Sequence, residues 1–265
     1  MRLSIDHRTR YRFSEPQARL VQILRLTPQN THDQTVAQWR IDVDRDAKLR
    51  SGRDGFGNCI TSLYVEGPLD GIEIAVTGEV VTSHSHGVIH GASEPLPPAV
   101  FLRATEATPA DPGIAAFARE AGGEGVLGRL HAINEALHER FAFHRGRPTP
   151  GLSAAQAFRR EAASPRDMAH MFCVAGRSLG VPARYVSGYS RVGGDHRPSP
   201  HGWAEAHVDG IGWIGFDPCA GKSPEEDHAR VAVALDAAGA APVAGSRLGE
   251  GEEMLDVDVN VVERE

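Results

Sequence analysis

The feature that most constrains the fold is a change in the spacing of apolar residues across a proline-rich segment. Before that segment apolar residues alternate with polar ones, as over residues 3–13, which is typical of half-buried strands. After it they recur every three or four residues, as over residues 126–141, which indicates an amphipathic helix. The chain is therefore predicted to be an α+β protein, with a β-sandwich-like domain (1–90), a proline-rich linker (91–105) and an α+β core (106–265).

The charge and the cysteines narrow the class of protein further. The chain has 28 basic and 35 acidic residues, and the net charge of −7 disfavours nucleic acid and anionic membranes as partners. The N-terminal segment lacks the apolar stretch of a secretory leader, and the three cysteines form no C-x-x-C pair. We therefore expect a cytoplasmic protein with reduced thiols and no cofactor.

A strong helix start lies in the middle of the chain. Ser164 suits the N-cap, and Pro165 suits the first helical position because the N–H that proline lacks would be unpaired there. Asp167 favours the positive end of the helix dipole. An apolar stripe runs to Leu179 and Gly180 follows, so we predict a helix that begins after Ser164 and ends near Gly180.

Short motifs occur in a fixed order along both parts of the chain. They are YRFSEP (11–16), LRLTP (24–28), DGFGN (54–58), RSLGVPARYVSGY (177–189), HGWAE (201–205), GWIGFDP (212–218) and DHARVAV (227–233). Together they resemble the bacterial transglutaminase-like proteins, which belong to the wider cysteine-proteinase fold. The resemblance covers most of the chain. It implies an N-terminal β domain before a papain-like core, and attack on a peptide or glutamine amide through a thioester.

The chain departs from this family at one position. The family's core helix opens with a cysteine two residues before an Asp and five before a His; here Asp167 and His170 match, and Pro165 stands in the place of the cysteine. The resemblance assigns the catalytic histidine to His201 and the catalytic aspartate to Asp217. Proline offers neither a nucleophile nor the backbone N–H that helps to hold an oxyanion in this architecture.

The residues near the vacant position allow more than one interpretation. Ser164 is the nearest hydroxyl, although its N-cap role explains it, and Cys219 lies two residues after Asp217. Cys173 lies about 12 Å further along the same helix, too far from a base directed at the helix start. We interpret Cys173 and Cys59 as structural residues.

The cleft is expected to survive the loss of the nucleophile. Ser164, Asp167 and Trp203 are the residues predicted to line it, although Trp203 also suits the core of the central sheet. We predict a non-catalytic protein that binds a peptide or protein partner. The alternative is an active amide hydrolase or acyl transferase that uses Ser164 or Cys219 together with His201 and Asp217.

The histidines predict no metal site. His201 and His207 share a strand face but lie about 20 Å apart along an extended strand, so they cannot hold one ion. His84, His86 and His90 form a denser group, for which a solvated loop is the simpler interpretation and metal binding stays open.

Overall fold

The described part of the chain forms two antiparallel sheets, with helices packed on the second, and one short parallel pair of strands. The structure, a computed structural model, describes residues 1–144, 146, 148–191, 196–197 and 199–264, with the backbone alone at 196–197. The first part contains strands β1 (Arg2–Leu24), β2 (Gln34–Val43), β3 (Lys48–Arg53) and β4 (Cys59–Thr82). A 3-10 helix (Pro98–Leu102) follows, then α1 (Pro112–Glu120), α2 (Gly125–Arg140), β5 (Ala142–Phe143), α3 (Ala154–Ala157), β6 (Ala162–Ala163) and α4 (Pro165–Ser178). The remaining strands are β7 (Ala183–Ser190), β8 (His196–Arg197), β9 (His201–Val208), β10 (Gly212–Phe216), β11 (His228–Ala234), β12 (Val243–Leu248) and β13 (Glu253–Arg264). The predicted α+β class is confirmed.

Two long strands organise the N-terminal sheet. Strands β1 and β4 pair along most of their length, with an irregular register between Arg12 and Arg19. The halves of β1 on either side of this irregularity contribute to one apolar cluster, which includes Tyr11 and Leu20. The alternation predicted for residues 3–13 is present, because every second side chain is buried and the side chains between them are more exposed.

The end of the chain returns to the N-terminal sheet. Our division placed residues 106–265 in the core, whereas β13 pairs with β1 over residues 2–13 and β12 pairs with its other half. Strand β1 therefore has hydrogen-bonded partners on both sides. The physical reason is that an unpaired edge of so long a strand would expose a row of backbone donors and acceptors.

The core sheet has the order β10-β9-β7-β11 and is antiparallel throughout. Helix α4 packs on β9 and β7 through Met168, Phe172 and other buried residues. The N-terminal sheet also contacts this core, because Leu3 and Ile5 share an apolar cluster with Tyr189. The core sheet is therefore held between helices and the first sheet.

Helix α1 was not predicted from the sequence. Asp111 caps it, with Oδ1 accepting a hydrogen bond from the Ile114 N–H at 2.9 Å, and Pro112 occupies the first turn. These are the same signals that predicted α4, so they were present in the sequence. Helix α3 is only four residues long and is capped by Ser153.

A buried ion network fastens the linker to the core sheet. Arg184 donates from Nε to Glu205 at 2.7 Å, and its two terminal nitrogens bind the carboxylate of Glu94 in the linker. Arg230 contacts the same Glu205 carboxylate from β11. Burial alone would raise the pKa of Glu205, but Arg230 and Arg184 lower it to about 2.

Among the described residues, none of the helices has the length and apolarity that a bilayer-spanning segment requires.

Candidate functional site

The start of α4 is closed by its own side chains. The Ser164 hydroxyl donates to Asp167 Oδ2 at 2.7 Å and accepts from the Asp167 backbone N–H at 3.3 Å, while the Ser164 N–H donates to the same carboxylate oxygen. Both residues are buried, and Pro165 takes the first helical position. Arg166 binds the other carboxylate oxygen at 2.9 Å. The capping predicted from the sequence is therefore present.

Two neighbouring strands bring the family's histidine and aspartate positions together. His201 begins β9 and Asp217 directly follows β10, and the two strands are antiparallel neighbours. The Nε2 atom of His201 lies 2.7 Å from Oδ2 of Asp217, and both side chains are buried. The hydrogen bond to Nε2 leaves Nδ1 as the ring nitrogen that does not contact the carboxylate.

A second histidine contacts the same carboxylate. His228, at the start of β11, places Nε2 at 3.0 Å from Asp217 Oδ2 and Nδ1 at 2.7 Å from Asp227 Oδ1. The sequence motif that contains it was recognised, but no role was inferred for His228. An Asp-His pair in a family motif was the available signal; its meaning depended on where β11 lies in the sheet.

The charges within this group support one another. Burial by itself would lower the pKa of His228, but its hydrogen bonds to Asp217 and Asp227 outweigh burial and raise it to about 8. Burial would raise the pKa of Asp217, but His201 and His228 hold it well below its ordinary value. The other oxygen of Asp217 accepts the Cys219 backbone N–H at 3.0 Å. Asp217 is thus an ionised carboxylate with acceptor contacts on both oxygens.

Comparison with known proteins places this geometry in a family. Residues 3–81 match the family model described as the bacterial transglutaminase-like N-terminal region, and residues 115–218 match the transglutaminase-like superfamily model. Together the two matches span more than half of the chain. The chain belongs to the transglutaminase-like superfamily.

Two relatives extend over almost the whole length. An uncharacterised protein of Mycobacterium leprae is 25% identical over 287 residues, which cover 98% of each chain. A solved structure from Cytophaga hutchinsonii, described provisionally as a cysteine protease, is 20% identical with a TM-score of 0.75, covering 100% of this chain and 92% of that one. At this identity the solved structure supports the fold of the transglutaminase-like chain and not its activity.

The thiols of this transglutaminase-like chain lie outside the histidine–carboxylate group. The described residues contain one group of three His, Cys, Asp or Glu side chains whose ligand atoms lie within 4.8 Å of one another. It consists of His201, Asp217 and His228 and contains no cysteine. Cys173 is wholly buried in α4, and burial raises its pKa to about 11. Cys219 is buried, and its backbone carbonyl accepts a hydrogen bond from His138 Nδ1 at 3.1 Å.

Trp203 lies in the interior of the core sheet. Its ring packs on Val186 and Val233 and lies 5.3 Å from the ring of His228 in an edge-on arrangement. It lies 6.0 Å from the ring of His201. Trp203 therefore supports the two histidines from the sheet side, as the core interpretation predicted.

A cavity of about 480 Å³ adjoins the start of α4. Its walls include Arg166, which follows Pro165, and Pro200, which precedes His201. Leu152, His170 and Tyr185 contribute further wall surface. The size lies within the range of ligand sites in proteins, roughly 300–1,000 Å³. The residues predicted to line the cleft, Ser164, Asp167 and Trp203, do not line this cavity, because the first two form the helix cap and Trp203 packs inside the sheet.

The loop histidines do not form one group of three. His84 and His86 contact each other, with Nε2 and Nδ1 3.1 Å apart, whereas His90 stacks on His32 at a ring distance of 5.9 Å. His207 packs edge-on against Trp213 instead of approaching His201. The solvated loop stays the simpler interpretation of His84, His86 and His90, and metal binding by them stays open.

Proposed function

We propose that this chain is a non-catalytic member of the transglutaminase-like superfamily that binds a peptide or protein segment in the cleft beside α4. The observation that carries the proposal is Pro165 at the first helical position, with no described thiol in the group formed by His201, Asp217 and His228. Proline removes the nucleophile and also one backbone N–H donor, and loss of one oxyanion donor alone costs about 10²–10³ in rate.

The possible substitute nucleophiles are a capping serine and a buried cysteine. The Ser164 hydroxyl donates to Asp167 and accepts from its backbone, so it would have to leave the cap to reach an imidazole. The Cys219 thiol is not among the ligand atoms that form the group of His201, Asp217 and His228. These contacts favour binding over amide hydrolysis or acyl transfer by Ser164 or Cys219.

Covalent probes test the absence of a nucleophile. The wild-type protein is treated with a fluorophosphonate and with iodoacetamide in buffer containing EDTA, and labelled peptides are identified by mass spectrometry. We expect no adduct at Ser164 or Cys219 that depends on His201. The variant Pro165→Cys should gain a fast iodoacetamide adduct at position 165, and His201→Ala in that background should slow it. A wild-type adduct that His201→Ala abolishes would overturn the proposal.

Binding in the cleft is tested by filling the cavity. A fluorescent pool of random hexapeptides should bind the wild-type protein, and Leu152→Trp should weaken binding because Leu152 lines the cavity. Leu248→Trp is the matched control, since Leu248 is exposed on β12. Equal binding by the two variants would place the peptide elsewhere and contradict the proposal.

A further inference from the structure

Three potential metal ligands converge in the interior of the core. One ligand atom each from His201, Asp217 and His228 lies within 4.8 Å of the other two, and all three side chains are buried. His201 is the first residue of β9, His228 is the first residue of β11, and Asp217 directly follows β10. A site built from three strands of one sheet is held rigidly.

The ligand types and spacing suit a divalent transition metal. Two imidazoles and one carboxylate form a common ligand set for zinc and related ions. Zinc lies about 2.0–2.2 Å from such ligands, which places tetrahedral neighbours about 3.3 Å apart. The two imidazole nitrogens lie 2.7 and 3.0 Å from Asp217 Oδ2, so a metal ion requires the ligands to separate by only a few tenths of an ångström.

Outer contacts already orient two of the three ligands. His228 Nδ1 contacts Asp227 Oδ1 at 2.7 Å, which fixes the ring and directs Nε2 inward. The second oxygen of Asp217 accepts the Cys219 N–H at 3.0 Å. A carboxylate behind a ligating histidine is the usual support in metal sites, and its loss typically lowers metal affinity about 10–100-fold.

A small cavity adjoins one member of the group. This cavity of about 40 Å³ is lined by His228, together with Trp203 and Glu205, whereas His201 and Asp217 do not line it. A cavity of this size has room for a water molecule, which needs about 10–15 Å³ by this measure. Three protein ligands and one exchangeable position would complete a four-coordinate site.

We propose that His201, Asp217 and His228 form a binding site for a divalent transition metal of the zinc class. This metal site goes beyond the proposed peptide-binding function, and the two proposals are tested separately. The covalent-probe test is carried out with EDTA, which removes divalent metal ions, so its result does not depend on a bound metal. In the sequence, His207 is the histidine that shares a strand face with His201, but the two lie too far apart along that strand to bind one ion. The fold supplies His228 instead.

Metal titration of the full chain tests the site. Metal-free wild-type protein is titrated with Co²⁺ and then with Zn²⁺. We expect one equivalent of Co²⁺ to give the visible absorption of a four-coordinate ion and Zn²⁺ to displace it. Zn²⁺ should also raise the wild-type melting temperature, since a ligand that binds the folded state stabilises it. Asp227→Asn should weaken Co²⁺ binding about 10–100-fold, and His228→Gln should weaken it further.

Surface histidines supply the control. The double variant His84→Gln, His86→Gln removes the exposed histidine pair and should leave the one-equivalent site intact. Circular dichroism of each metal-free variant checks folding, and if His228→Gln fails to fold, Asp227→Asn decides, because Asp227 is only partly buried. Absence of one-equivalent binding in the wild type, or binding that Asp227→Asn leaves unchanged and the double variant abolishes, overturns the proposal.

Discussion

His228 Nε2 lies 3.0 Å from Oδ2 of Asp217, the carboxylate oxygen that His201 also contacts. The carboxylate therefore contacts two imidazoles, one at the start of the central strand β9 and one at the start of the edge strand β11. In a thiol enzyme of this fold, the aspartate orients one histidine toward a nucleophile. Here one carboxylate oxygen contacts two histidines, and His201, Asp217 and His228 form one buried group.

Acid should destabilise the protein through two histidines outside this group. Burial lowers the pKa of His7 and of His170 to about 4 from the ordinary value of 6.5. The folded state therefore resists protonation, and the stability that each neutral ring contributes is complete above pH 6.5 and is lost as the pH falls toward 4. We expect the free energy of unfolding to drop by up to about 3 kcal/mol for each histidine, measured by urea denaturation across this range.

Substitution checks that these rings cause the acid limb. The double variant His7→Gln, His170→Gln should show a flatter dependence of unfolding free energy between pH 6.5 and 4. A slope equal to that of the wild type would assign the acid sensitivity to other groups.

Ser164→Ala should act on stability and leave probe reactivity unchanged. Removing the hydroxyl leaves the Asp167 N–H without its cap, so we expect a loss of about 1 kcal/mol in the free energy of unfolding, measured by urea denaturation. Ser153→Ala is the matched control, since Ser153 forms an equivalent but solvent-exposed capping box on the four-residue helix α3 and its loss should cost less. A fluorophosphonate adduct lost in Ser164→Ala would contradict a purely structural serine.

Glu205→Gln should be strongly destabilising. Glu205 is wholly buried between Arg184 and Arg230, and its neutralisation would leave two buried guanidinium groups with one fewer negative partner. Breaking a buried pair in this way typically costs about 3–5 kcal/mol in the free energy of unfolding, measurable by chemical denaturation. Glu94→Gln should cost less, because the Glu94 side chain is 32% exposed and water compensates it. Equal losses would show that burial does not set the energy.

Gly202→Ala should disturb the strand that carries His201. A Cβ atom at position 202 would lie 2.2 Å from the hydroxyl oxygen of buried Tyr185, so the tyrosine has to move. Overpacking of this kind typically costs about 1–3 kcal/mol in unfolding free energy, and differential scanning calorimetry should record a lower melting temperature. Gly55→Ala is the control, since nothing lies within 4 Å of its added Cβ. A control as destabilised as Gly202→Ala would exclude the clash as the cause.

The local elements were largely determined by the sequence. Ser164, Pro165 and Asp167 specify the start of α4 because capping involves only residues within one turn, and the structure has that cap. Alternation over residues 3–13 specifies a strand and the face that is buried, because each side chain's direction follows from its position in the strand. The resemblance to the transglutaminase-like family pointed to His201 and Asp217 through their motifs. It did not give the distance between the two side chains.

Only the tertiary structure decided which distant elements meet. The apolar alternation of residues 255–261 is typical of a strand, but the pairing of β13 with β1 depends on hydrogen bonds between residues more than two hundred positions apart. Likewise His228 contacts Asp217 because β11 pairs with β7, and β7 in turn pairs with β9. No local pattern encodes this strand order. Periodicity and capping report a segment's own geometry, whereas its partners are chosen by the burial and hydrogen bonding of the whole chain.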